Sequence, residues 1–343
     1  MKLKIAALSL CIVFSLSHSL KAQDGFGDIL TFGIEDANRF AQSYLNPGAE
    51  AFAYSFANAW FNSAKSKKTF RFDLQLVAGA ALASSEDKRF LLDPAQFNHV
   101  EFRDGNPTAP RNVATVFGAN RPDVVVRIPS NNPLVPDAEV TLPQGLGDTD
   151  VNFLPTGFLQ ASFGLPLGLE IKARFIPKTE IDEVESQLFG LGLQYELDRI
   201  FGVPSFFPVR FGALVGYTNF EGSYDFEDGD FVSGTNQKVD VEVDTWLFTL
   251  IASTNLKIIN VYGGVGYVTG NTTSRLLGTY QVNAGIVPVG GTTLVDPISI
   301  NTDVSGLRAN LGLDLKLGFF GVYAEYAVQE YDTFNAGIRF GWL

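Results

Sequence analysis

Apolar and polar residues alternate with a period of two along most of the second half of the chain. In residues 334–342 one parity is Phe334, Ala336, Ile338, Phe340 and Trp342, and the other is Asn335, Gly337, Arg339 and Gly341. A period of two marks a strand with one apolar and one polar face. The preceding run repeats it, with Phe320, Val322, Ala324, Tyr326 and Val328 opposite Tyr323, Glu325 and Gln329. Residues 70–82 do the same, with Phe72, Leu74 and Leu76 opposite Arg71, Asp73 and Gln75. Further alternating runs cover 153–163, 167–178, 186–197, 209–217, 246–252, 261–268 and 307–316. Tight connections such as Gly164-Leu165-Pro166 join them in pairs, and longer polar stretches at 179–185, 221–240 and 270–302 separate the pairs. Short turns at one end, long loops at the other and spans of about ten residues describe a barrel that crosses a bilayer. The expected fold is all-β, a single closed antiparallel transmembrane β-barrel of about 10–14 strands. An even count of about 12 is the central expectation, from about ten clear strands with one further pair available from 274–285 and 292–300 and another from 90–128.

The only helical periodicity lies in residues 24–66. Ile34, Ala37, Phe40, Ala41, Tyr44 and Leu45 share one face, and Glu35, Asp36, Arg39 and Gln42 the other. Asn46-Pro47-Gly48 predicts a break, because proline disfavours helix in the residue before it and glycine supplies a turn. A second helix is expected over 49–64, rich in Ala and in Phe52, Tyr54, Phe56, Trp60 and Phe61. So little polar surface needs a cover, and the barrel lumen, its rim or a membrane surface would each provide one. Residues 84–150 differ again. Eight of the 16 prolines fall between Pro94 and Pro143, which excludes a run of central strands. A long outer loop, folding over or into the barrel mouth, is the expectation there. The organisation is then 1–22 signal peptide, 23–68 helical plug or cap, and 69–343 barrel.

The signal peptide is read from basic Met1–Lys4, the apolar run Ile5–Leu16 and small residues before Gln23. Its removal takes three of 25 basic residues and none of 37 acidic ones, which moves the net charge from −12 to −15. Cys11 and Met1, the single Cys and Met, leave with it, and His99 is the remaining imidazole. Thiolate chemistry is excluded, and so acidic a chain has no electrostatic footprint for nucleic acid. After the signal no run reaches the roughly 18 apolar residues of a membrane helix.

Residues 335–342 fit residue by residue the polar-x-Gly-x-x-apolar-x-apolar pattern of the C-terminal signal of outer-membrane barrels. This stretch, with Asn335, Gly337, Phe340 and Trp342 at its key positions, resembles the signal read by the barrel-assembly machinery. Leu343 departs from the pattern, which often ends on the aromatic itself. Tyr44-Leu45-Asn46-Pro47-Gly48-Ala49 resembles, over about five residues, the Asn-Pro-Ala/Gly motif of the long-chain fatty-acid outer-membrane transporter family, whose N-terminal segment plugs its barrel. Trp60–Lys65 before the first strand resembles an uncharacterised family of outer-membrane proteins with a helix-plus-barrel layout. These resemblances imply a location in the bacterial outer membrane, contact with its lipid, and transport of hydrophobic compounds.

Ten charged residues have the inward parity: Arg71, Asp73, Glu170, Lys172, Arg174, Arg210, Asp314, Lys316, Glu325 and Arg339. Their mixed signs read first as ion pairs filling a polar interior, and second as a set guiding a ligand. Val241, Val243 and Leu247 lie on the parity opposite Trp246. If Trp246 sits in an outer aromatic belt, they form an apolar inner wall, which either receives a greasy ligand or packs on the helix. Asp225, Glu227, Asp228 and Asp230 share one loop. They lack EF-hand spacing and read as a solvated acidic loop before a calcium site. No cofactor and no enzymatic chemistry is expected, since His99 is a lone loop histidine. The function expected is a channel or transporter for small, apolar molecules; the alternative is a structural or surface-interaction barrel with its lumen packed shut.

Overall fold

The computed structural model describes residues 26–129, 137–149, 151–181, 184–204, 206–225, 232–282 and 292–341. The expected signal peptide lies outside them, as do Glu227, Asp228, Asp230 and Trp342. Ten strands close an antiparallel barrel. They are β1 (Phe72–Leu82), β2 (Phe153–Gly164), β3 (Leu169–Ile181), β4 (Val184–Glu196), β5 (Val209–Asp225), β6 (Val232–Thr254), β7 (Ile259–Val282), β8 (Ile298–Leu317), β9 (Phe320–Val328) and β10 (Thr333–Gly341). Each strand pairs with the next in sequence, and β10 closes on β1 with Leu74 opposite Phe340 and Gly79 opposite Asn335. Closure leaves no edge strand in the barrel, although residues 298–308 of β8 extend past β9 and pair only with β7.

The count is ten rather than 12 because several stretches expected to be loops or extra strands lengthen existing ones. Residues 221–225 and 232–240 continue β5 and β6, which pair across Glu221–Glu242 and Asp225–Lys238. Residues 274–282 continue β7, and 298–300 begin β8. Thr292–Val295 pairs only with the far end of β7. Polar composition there belongs to strand, and composition alone does not separate polar strand from loop.

One end of the barrel carries the short connections 165–168, 197–208, 255–258 and 318–319, and is called the inner end here. At the outer end, the described residues of 83–152 build a cap from short pieces. Arg89–Leu92 pairs with Arg111–Ala114, and Glu101–Phe102 and Ala138–Thr141 flank Val125–Ile128. None of these joins the barrel sheet. Proline's missing N–H restricts this region to small sheets.

The helix is a single element, α1 (Ile34–Phe56), which runs through Pro47 without a break. The predicted two-helix reading is corrected on both counts. Asn46 bridges the proline turn, accepting from Gln42 Nε2 (3.2 Å) and Thr302 Oγ1 (2.8 Å) and donating to Glu50 (2.7 Å). The Tyr44 carbonyl accepts from the Val116 N–H at 3.0 Å. Gly48 is helical and buried, and a Cβ there would stand 2.9 Å from Val116 Cγ1. The glycine therefore admits the cap to the helix rather than ending it. Residues 57–68, expected to be helix as far as 64, form no helix and run down to the start of β1.

Two buried clusters follow. The N-terminal part of α1 and Ile29–Phe32 pack with cap residues Phe102, Val113, Val126 and Ile128, and with Tyr280 and Ile298 on the extended strands. The C-terminal part and residues 57–64 pack against the inner wall of the barrel.

Candidate functional site

The lumen is the one place where most of the charged and polar residues converge. Its contents are dictated by residues 57–68. A segment without secondary structure leaves backbone N–H and C=O groups that must find partners when buried. The wall supplies them from side chains on many strands. Arg174 on β3 donates Nη1 to the Phe56 carbonyl at 2.7 Å and Nη2 to that of Asn58, and its Nε reaches Gln160 at 2.8 Å. Glu325 on β9 accepts from the Ala59 N–H at 2.9 Å. Gln194 and Asn260 donate to the carbonyls of Ser63 and Asn62 at 2.9 and 3.0 Å. Ser253 accepts from Ala64 N–H at 2.9 Å, and Glu170 from Lys67 N–H at 2.7 Å. Thr272 on β7 donates to the Ala49 carbonyl at 3.0 Å.

The apolar half of the plug is seated on glycines. Cβ atoms at Gly192 and Gly216 would lie 2.8 and 2.6 Å from the Trp60 ring. One at Gly264 would lie 2.9 Å from Phe61. The Trp60 ring also covers the Arg174 guanidinium at 3.7 Å, with Phe158 on a further side at 4.4 Å. That places a wholly buried guanidinium among two aromatic faces and two carbonyls, which offset part of its lost hydration.

The inward charges fall into distinct settings. Asp73 pairs with Lys67 at 2.5 Å, Glu170 with Lys172, Arg210 with Asp198 at 3.2 Å, and Arg339 with Asp314 at 3.0 Å, all close to the inner end. Lys316 beside them is half-buried. Arg71 precedes β1 and is exposed at the inner rim, so the parity that places it inward does not bury it. Arg308, which the parity argument passed over, is buried 3.9 Å from Glu325, and its guanidinium makes no hydrogen bond among the described residues. Burial lowers the affinity of the Lys67 amine for its proton, but Glu170 and Asp73 outweigh it and hold the group above its ordinary range.

Val243 and Leu247 are fully buried and Val241 half-buried, all three in the cluster that contains Phe56 and Phe61. Phe220 on β5 stacks on Phe56 at 4.5 Å and Phe52 at 5.7 Å. An open apolar groove of about 940 Å³ does cross the wall, but on its outside, lined by Leu193, Tyr195, Val215, Phe248, Leu250 and Tyr267. Asn335 is buried, 3.4 Å from Glu325, Gly337 lies under the Tyr323 ring, and Phe340 faces out against Phe320. Asp225 ends β5 in an exposed position. Among the described residues, no group of three His, Cys, Asp or Glu could hold a metal ion. His99 lies in the cap, where its backbone N–H donates to Asp36 at 3.0 Å. Asp36, expected on the polar face of the helix, is buried because it also accepts from Asn98 at 2.8 Å.

Sequence reasoning placed Arg71 inward where it is exposed, passed over Arg308, and missed the seats. The signal was present, as glycines at inward parity in β4, β5 and β7 facing a segment rich in aromatics. What pairs them is the path of the plug, which no periodicity encodes.

At the outer end, Glu50 on α1 lies beside Tyr331 and Asp87. Burial pushes the Glu50 carboxyl above its ordinary range, against the hydrogen bonds from Asn46 and Tyr331. Burial, with the charges of Glu50 and Asp87, also raises the Tyr331 hydroxyl.

These features define a closed ten-stranded barrel filled by its own N-terminal segment. The chain belongs to the family described as a family of unknown function, DUF6588, whose model matches residues 1–342. No curated protein matches it. Among solved structures it is similar to the outer-membrane protease OmpT of Escherichia coli, at 10% identity over 80% of this chain and 99% of that one, with a TM-score of 0.32. It is also similar to the COG4313 outer-membrane channel of Pseudomonas putida F1, at 8% identity over 83% and 99%, with a TM-score of 0.29. Ail of Yersinia pestis, an attachment invasion locus protein, matches at 9% identity over 80% and 97%, with a TM-score of 0.25. Likenesses at these scores carry no weight for function.

Proposed function

We propose that this protein is an outer-membrane β-barrel whose lumen is closed by residues 34–68 and whose outer end presents a folded cap to its surroundings. The observation that supports membrane insertion is a change of character along the outward parity at one level of the wall. On β6 it passes from Asp240, Glu242 and Asp244 to Trp246, Phe248 and Leu250. On β8 it passes from Asn301, Asp303 and Ser305 to Leu307, Ala309 and Leu311. On β5 and β7 the change falls at Tyr217 and Tyr267. The ladder places Tyr217 opposite Trp246, Phe248 opposite Tyr267, and Tyr267 opposite Leu307. From Trp246 to the turn at Leu256 is about ten steps of ~3.3 Å, or ~25 Å in height at a tilt of ~40°, the thickness of a bilayer's apolar band. Aromatics at its edge suit the interface. No helix among the described residues is long and apolar enough to cross a membrane.

Closure of the lumen favours the surface-interaction reading over passage of a solute. The apolar inner wall at Val241, Val243 and Leu247 is covered by the plug, and wall side chains hold the plug's backbone. Passage of a small apolar molecule would require the plug to leave those partners. Assembly by the barrel-assembly machinery is proposed from the pattern of Asn335, Gly337 and Phe340 on β10. Conductance of the full chain in planar bilayers is the test. The intact protein is expected to stay closed, and deletion of residues 26–64 to open an ion-conducting pore. Trp60→Ala with Phe61→Ala, which keeps the segment, is expected to raise the frequency of openings. Steady conductance or solute uptake by the intact chain would overturn the closed-lumen reading.

A further inference from the structure

The two ends of the barrel differ in charge. At the inner end the acids are turned inward and paired: Asp73 with Lys67, Glu170 with Lys172, Asp198 with Arg210, and Asp314 with Arg339. Glu196 is largely covered and accepts from Ser66 at 3.2 Å. Among the described residues, every exposed charged side chain at this end is basic: Lys65, Lys68, Arg71, Arg199 and Lys257. Of these, Arg199 alone lies near an acid, 3.9 Å from Glu196. At the outer end the exposed charges are chiefly acidic, among them Asp104, Asp123, Glu139, Glu221, Asp303 and Glu330. A chain of net charge −12 therefore carries a purely cationic rim at one end.

The same rim is apolar at its turn tips. Leu167, Phe201, Phe206, Leu256, Ile258 and Phe319 are exposed by 55–85%. They sit in the connections themselves, continuous with the apolar belt of the wall. Exposed apolar tips alternating with these cations complement a lipid surface with phosphates at its face and acyl chains beneath it. Water offers the tips nothing, and a soluble polyanion would leave them exposed.

We propose that the inner rim binds the headgroup phosphates of anionic phospholipid in the leaflet it faces, with the turn tips seated among the acyl chains. This rests on the membrane reading above and adds lipid class and sidedness to it. The five cations would hold phosphates by charge-assisted hydrogen bonds, and the acidic outer end would repel the same lipid.

The test uses the full chain folded in neutral detergent, with phosphatidylglycerol or phosphatidylcholine added to the micelles. Thermal unfolding is followed by the loss of the compact band on gels. Phosphatidylglycerol is expected to raise the midpoint by at least ~2 °C over phosphatidylcholine at about 50 mM salt, and the gain to fall at about 500 mM. The variant K65Q/K68Q/R71Q/R199Q/K257Q should lose the gain, while K65R/K68R/R71K/R199K/K257R should keep it. R89Q/R103Q/R121Q/K178Q at the outer end should keep it too. Equal midpoints in the two lipids, or a gain that survives the rim variant, would overturn the proposal. So would an equal gain from free glycerol phosphate, which would mark an anion site without lipid. A chain that enters neither lipid in vesicles would overturn the membrane reading itself, whereas insertion into both without preference would overturn this inference alone.

Discussion

At the scale of single residues, the lumen separates two kinds of buried arginine. Arg174 donates to two plug carbonyls and one amide oxygen and lies against Trp60. Arg174→Met would leave buried carbonyls without donors, and should lower the unfolding free energy by about 2–4 kcal/mol in urea titrations of the detergent-folded protein. Arg308 has a carboxylate at 3.9 Å and no hydrogen bond. Arg308→Met takes a charge from beside buried Glu325, but Glu325 keeps its bonds from Ala59, Asn310 and Asn335 and no carbonyl loses a donor, so the loss should be smaller than that of Arg174→Met. Equal losses for the two would show that hydrogen bonding does not distinguish them. The glycine seats make a third case. Gly216→Val pushes methyl groups into the Trp60 ring and should cost about 1–3 kcal/mol. Part of that loss should return in the pair with Trp60→Leu, a coupling that a strand-propensity effect would not produce.

At the scale of elements, α1 joins cap, plug and wall, and its two unusual residues serve that junction. A larger side chain at Gly48 meets Val116, so Gly48→Leu should free the cap from the helix while the barrel stays closed. Limited proteolysis within 84–150 should then accelerate several-fold with no change in the compact barrel band. Glu50 gives the same contact a pH dependence. Its proton is held more tightly in the folded chain than in the unfolded one, because burial disfavours the carboxylate. Stability from this group is therefore present below the ordinary carboxylate range and lost as pH rises through the raised value. Hydrogen exchange across 44–54 should slow as pH falls from neutral toward 4.5, after correction for intrinsic exchange. Glu50→Gln should abolish that dependence. A dependence that persists in Glu50→Gln would assign it to other carboxylates.

At the scale of the whole molecule, the outward face carries the argument for a membrane. Leu311 and Asn301 share β8 and its outward parity, and both are exposed. In water a lysine at either site is harmless. In a bilayer, Leu311→Lys should cost about 2–4 kcal/mol, while Asn301→Lys should cost close to nothing. Folding titrations into phosphatidylcholine vesicles read the difference directly. Equal effects at the two sites, or a chain that stays soluble and folded without detergent, would refute insertion. The charge asymmetry between the ends belongs to this scale as well, since it exists only once the acids of the inner end have turned inward.

The period of two, read from single strands, determined the barrel and most of its inward residues. That follows because an apolar outer face and a packed polar interior impose opposite demands on alternate side chains. Phe334, Ile338 and Phe340 against Asn335 and Arg339 are legible for this reason. Three things were not legible. The strand count needed the register, because the polar outer parts of β5 to β8 look like loop when composition is all there is. The continuity of α1 through Pro47 needed Thr302 and Val116, which lie far away in sequence. The state of the lumen needed the path of residues 57–68, since irregular backbone has no period and takes its shape from the side chains that satisfy it. Local alternation fixes which face a residue takes; what meets it across the lumen is set by tertiary structure alone.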